Sequence, residues 1–152
     1  MYLLAVLLLL LIVPAASVAA EALLRGAPDL LWLVGKWFTF WGCGVRLFIA
    51  GIRQTLQPAF TAGEIFKLDD PAVHPLVREI GFGNLAMGAL GLASLAVPQW
   101  LIPAAIAGGL YYGLAGLGHL LNKERNTNEQ IALVSDLWLF LLLAVFAATR
   151  LA

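Results

Sequence analysis

The chain has 152 residues, of which 62% are hydrophobic and only 12% charged, against about 25% charged residues in a soluble domain. With a mean hydropathy of +0.92 it reads as an integral membrane protein. Nine basic residues balance nine acidic ones, so the field that would gather nucleic acid is missing, and the lone Cys43 excludes an internal disulfide or a CxxC metal or redox site.

The first segment, LLAVLLLLLIVPAASVAAEA, has the apolar core of a secretory leader, but Met1-Tyr2 ahead of it carries no lysine or arginine, where a leader is normally basic. It is expected to remain as a first spanning helix. A span needs about 20 mostly apolar residues, and five stretches qualify: about 2–24, 30–56, 76–97, 100–121 and 130–150. Arg25-Gly26-Ala27-Pro28-Asp29, Val97-Pro98-Gln99 and Asn122 to Asn128 are the turns between them. In the longer connection 57–75, Thr61-Ala-Gly-Glu64 fits a capping box, which predicts a short surface helix. Pro71 or Pro75 then restarts the chain. The expectation is an all-α, polytopic transmembrane bundle forming one domain over 1–152, a four-helix core plus an N-terminal helix. No repeat or low-complexity tract interrupts it.

Lysine and arginine in short loops set orientation. Five spans put Arg53, Lys67, Arg78, Lys123 and Arg125 on one side and Arg25 and Arg150 on the other. The first side is therefore expected in the cytoplasm, with the N-terminus, in a bacterial inner membrane. Helix association inside lipid relies on close approach and polar contacts. Gly81, Gly83, Ala86, Gly88, Ala89, Gly91 and Ala93 in the third span, and the Gly109/Gly113 pair with Gly116 in the fourth, supply the small surfaces.

The second span carries Lys36, Arg46 and Arg53, each costing about 2.5 to 3.5 kcal/mol at mid-membrane on insertion scales. Arg46 and Arg53 are seven apart and share a face with Thr39, Gly42 and Ala50, which is expected to point inward. Trp37, Trp41 and Phe48 lie opposite, toward lipid or packing partners. At a rise of about 1.5 Å per residue, Arg46 and Asp136 lie roughly 15 and 10 Å from the same surface. That places them within reach of each other, with Arg53 expected nearer Glu79 or Glu129.

The candidate ligand site is therefore a polar pocket in the cytoplasmic half, formed by Arg46, Arg53, Glu79, Asn84, His119, Glu129 and Asp136. Glu129 also fits a helix cap through Asn126-Thr-Asn-Glu129. His119 reads as an interfacial imidazole bonded to a carbonyl or carboxylate, or as a ligand or proton carrier. HExxH and Glu-x-x-His spacings are absent, so no metal is assigned. No GxSxG, P-loop or dinucleotide fingerprint occurs, and the residues name no cofactor.

IFKLDDPAVHPLVREIGFGNLAMGALGLASL and GLGHLLNKERNTNEQIALVSDL resemble a group of small bacterial integral membrane proteins labelled only as a domain of unknown function. The resemblance covers roughly residues 60 to 140. It rests on Arg78-Glu79, Gly81, Asn84, His119, Asn126, Glu129 and Asp136. The small-residue four-span core is more distantly similar to DoxX-like proteins, a resemblance that implies quinone or thiol redox membrane chemistry. Three functions stay open: binding of a lipid- or quinone-type amphiphile, acid/base catalysis by His119 with a carboxylate, and a structural or assembly role in a larger complex. The partners expected are membrane lipids, an amphipathic small molecule, and further copies or other subunits of a membrane complex, with no nucleic acid.

Overall fold

A computed structural model describes residues 2–151. Among them every regular element is helical. Helix α1 runs Tyr2–Arg25 and is closed by Gly26, whose φ of 78° suits a residue without a Cβ. Asp29 then caps α2, residues 30–56, its Oδ1 accepting from Trp32 N–H at 2.9 Å. A short helix α3 spans residues 58–66, α4 is His74–Ala93, α5 is Leu101–Leu121 and α6 is Thr127–Leu151.

Three helices are long and apolar enough to cross a membrane: α1, α5 with the 3-10 turn that leads into it (Pro98–Leu121), and α6. The other two expected spans form helices but fall short by apolarity. Lys36 and Arg46 dilute α2, while Arg78, Glu79, Asn84 and several glycines dilute α4.

The surface helix between α2 and α4 exists, but it begins at Pro58 rather than at Thr61. Proline is pre-set for a first helical turn. Thr61 is therefore inside the helix, and the expected Thr61–Glu64 capping box is not made. Farther on, Asp70 does start a turn, its carboxylate accepting from Ala72 N–H at 2.8 Å.

Glycines seat two helix pairs, by different means. Between α2 and α4, backbone meets backbone. A Cβ on Gly91 would lie 2.5 Å from Gly44 N, one on Gly88 2.6 Å from Phe48 N, and one on Gly51 2.7 Å from Leu85 N. Between α5 and α6 the glycines receive side chains instead. A Cβ on Gly113 would meet the Phe140 ring at 2.8 Å, and one on Gly116 would meet Leu137 at 2.7 Å. The Gly109/Gly113 motif thus holds apolar knobs of the next helix. Cys43 is buried against Gly108 as a packing residue, in a core with Leu10, Tyr112, Leu139, Leu143 and Phe146.

Both α1 and α2 contain a π-helical stretch, Leu8–Ile12 and Thr39–Arg46. Widening the helix rotates the residues that follow relative to those before, a device frequent at functional sites. In α2 the stretch ends at Arg46.

Candidate functional site

Arg46 reaches from the end of that π stretch to α6. Its Nη1 and Nη2 each donate to Asp136 Oδ1 at 3.1 Å, and Nη2 also lies 3.4 Å from Ser135 Oγ. The guanidinium sits 5.0 Å from the centre of the Tyr112 ring. Tyr112 is fixed in turn by its hydroxyl, which donates to Gly42 C=O at 2.7 Å. The pairing expected from depth along the helices is therefore formed, with only 15% and 7% of the two side chains exposed. Its neighbours make it a chain of contacts through α2, α5 and α6.

A second polar group lies at the α5/α6 hairpin. Asn126 caps α6, its Oδ1 accepting from Glu129 N–H at 2.9 Å. The reciprocal half of a capping box is not made. The Glu129 carboxylate turns back to α5, where Oε1 accepts from Asn122 Nδ2 at 2.7 Å and lies 3.3 Å from His119 Nδ1. That contact requires a proton on Nδ1, in the neutral tautomer or the imidazolium. Arg125 closes the end of α5, donating to the carbonyls of His119 and Leu120 at 3.0 Å and to that of Asn122. The hairpin tip is exposed beyond them, while His119 and Glu129 face inward.

Asn84 on α4 supplies a third group. Its Nδ2 donates to Gln54 Oε1 at 2.7 Å, and its side chain is 2% exposed. Its Oδ1 has no partner among the described residues.

Arg46, Arg53, Asn84, His119, Glu129 and Asp136 all line one cavity of about 670 Å³. Glu79 does not. Five positions before Asn84 on the same helix, it points about 140° away and is exposed. Arg53 is also placed differently from expectation. It pairs with neither Glu79 nor Glu129; its guanidinium lies 3.4 Å from the centre of the Phe60 ring on α3, where an aromatic face takes the part of a counter-charge.

The wall also includes Tyr2 of α1 and Tyr111 of α5, which sequence reasoning passed over. The signal was present, since a buried tyrosine in an apolar helix usually has a polar use for its hydroxyl. Among the described residues no three His, Cys, Asp or Glu side chains come together as a metal site would require. The cavity is amphipathic: charged and amide groups share its wall with Ala5, Leu9, Ile49 and Ile80.

At the opposite end of the helices a separate polar cluster ties α1 to α2. Lys36 Nζ donates to both carboxylate oxygens of Glu21, at 2.8 and 2.6 Å. Trp37 Nε1 donates to Glu21 Oε2 at 2.7 Å, and Trp41 Nε1 to Ser17 Oγ at 3.0 Å. The two tryptophans expected to face lipid or packing partners thus also anchor α1.

A family model, described as a family of unknown function (DUF6790), matches residues 1–151. The chain belongs to that family. No curated protein and no solved structure matches it, and a DoxX-like relationship is not shown.

Proposed function

We propose that this member of the DUF6790 family is a five-span protein of a bacterial inner membrane, its N-terminus in the cytoplasm, that binds an amphipathic small molecule of lipid or quinone type. The observation that carries the reading is the cavity of about 670 Å³, whose wall combines Arg46, Asp136, Asn84, His119 and Glu129 with aliphatic side chains. Its volume lies within the range of small-molecule sites, about 300 to 1,000 Å³. Charged residues inside membrane helices are costly and mark functional sites by default. Here the buried charges also line a space. Supporting the topology, α2 and α4 pack closely on each other and run with the three most apolar helices, and Arg53, Lys67, Arg78, Lys123 and Arg125 give one side the greater positive charge.

The contact between His119 and Glu129 favours a second reading, acid/base catalysis on the bound molecule. In that case His119→Ala abolishes turnover of the bound molecule while leaving its binding.

Native mass spectrometry of the full chain from mild detergent tests the proposal. Wild type is expected to retain an adduct whose mass names the ligand class. Ala115→Phe, which fills the cavity from α5 without touching its charges, is expected to lose it. A wild-type chain with no adduct, in the presence of native lipid extract, would overturn ligand binding; recovery in a larger complex would favour the role of an assembly subunit, which a bare monomer counts against.

A further inference from the structure

The polar atoms around the cavity divide into those already engaged and those left over. Arg46 is committed to Asp136 and Ser135. The Tyr112 hydroxyl is committed to Gly42, Asn122 to Glu129, and Gln54 Oε1 to Asn84 Nδ2. Beside Gln54 Nε2 and the hydroxyls of Tyr2 and Tyr111, which can donate, two acceptors remain. Asn84 Oδ1 is a buried acceptor with nothing to accept, and a buried polar atom without a partner costs far more than a typical hydrogen bond returns. Every hydrogen bond to Asp136, two from Arg46 and one from Ser135, falls on Oδ1. Oδ2 accepts none among the described residues. On the wall of the same cavity, Arg53 has an aromatic face and, among the described residues, no carboxylate partner.

Resting on the reading that the cavity holds an amphiphile, we infer that its ligand is a phospholipid whose headgroup carries hydroxyl donors beyond an anionic phosphate. The free acceptors, Asn84 Oδ1 and Asp136 Oδ2, take the hydroxyls. Arg53 takes the phosphate. A head made only of acceptors, such as a quinone ring, would leave Asn84 Oδ1 orphaned and would meet the carboxylate oxygen of Asp136 without a proton between them. A zwitterionic head with a quaternary ammonium brings no hydrogen-bond donor to either atom.

The test compares two lipids of equal charge and identical acyl chains, phosphatidylglycerol and phosphatidylpropanol, which differ in the two headgroup hydroxyls. Each is titrated onto the full chain, delipidated in mild detergent, and bound fractions are read by native mass spectrometry. Wild type is expected to prefer phosphatidylglycerol by about three- to tenfold for each of the two hydrogen bonds. Asn84→Ala is expected to lower the preference to the share that Asp136 Oδ2 keeps, and Arg53→Gln to weaken both lipids while keeping it. Should Asn84→Ala fail to fold, Asn84→Leu, closer in volume, serves in its place, and the wild-type preference stands as a result by itself. Equal binding of both lipids by wild type would overturn the headgroup inference while leaving amphiphile binding intact. Retention of neither lipid would overturn the inference, and if native lipid extract also leaves no adduct the reading it rests on fails with it. An adduct formed by glycerol alone would assign the acceptors to a free polyol and overturn the phospholipid.

Discussion

Two of the acid–base pairs that cross between helices in this protein differ in what surrounds them. At the α1/α2 turn end, Glu21 gives both oxygens to Lys36 and Trp37. Nothing is left over, and the cluster lines neither this cavity nor the apolar groove between α1 and α6. At the other end, Arg46 and Asp136 meet through a single carboxylate oxygen on the wall of the cavity. A fully used pair fastens two helices. One with an unused oxygen on a cavity wall keeps an acceptor that no described residue uses. The contrast shows why an ionisable residue in a membrane helix does not identify a site until its remaining valences are counted.

The sharpest way to break that comparison is to neutralise each acid in turn. Asp136→Asn leaves the Arg46 charge in a protein interior, with 15% of its side chain exposed. Losing one partner of a buried pair costs about 3 to 5 kcal/mol. A thermal melt in detergent should show this as the largest loss of any single substitution in these clusters. It should also remove the lipid adduct. An unchanged melting temperature would mean that the pair contributes nothing to holding α2 against α6.

Glu21→Gln should cost less, about 1 to 2 kcal/mol, because Lys36 is 23% exposed and its long side chain can carry the charge toward the interface. The adduct should be retained with wild-type affinity. If Glu21→Gln weakened ligand binding as much as Asp136→Asn, the division into a fastening pair and a lining pair would fail.

How far the sequence foretold this arrangement depended on which property each residue expressed. The meeting of Arg46 with Asp136 was legible because the positions of both along their helices follow from a fixed rise per residue, and charge complementarity does the rest. Glu79 was misplaced because depth alone was used. Its angle around α4, opposite to Asn84, sends it outward. Arg53 was misassigned because an arginine can be satisfied by an aromatic face, and Phe60 belongs to a surface helix whose start at Pro58 the Thr61 motif concealed. The Glu21–Lys36 contact depended on the angle between α1 and α2, which the Gly26 turn sets and no periodicity reports. The helical class came directly from apolar runs. Three of the five expected spans, α1, α5 and α6, meet the length and apolarity of a membrane crossing; the other two carry Arg46, Arg53 and Asn84 of the candidate site and the glycines that seat them on each other.

The smallest effect expected belongs to the ion pair that closes the turn end of the bundle. Arg150, in the last turn of α6, donates to Asp29 Oδ1 at 2.7 Å. This bond, with the Trp32 backbone N–H, holds the Asp29 carboxyl below its ordinary value of 3.8. A carboxyl whose pKa is depressed by folding adds stability above the unfolded value and loses it as pH falls through the folded value. The window therefore opens near pH 3.8 and extends downward. Asp29→Asn isolates the charge, since asparagine also accepts from a backbone N–H at a helix start. The difference in melting temperature between wild type and Asp29→Asn should be small at pH 7, because both partners are partly exposed and surface pairs contribute little. It should shrink toward zero below pH 3.8 and with added salt. A difference that persists at pH 2 would mean that Asp29 acts through its cap on α2 and that α6 is held at this end by packing alone.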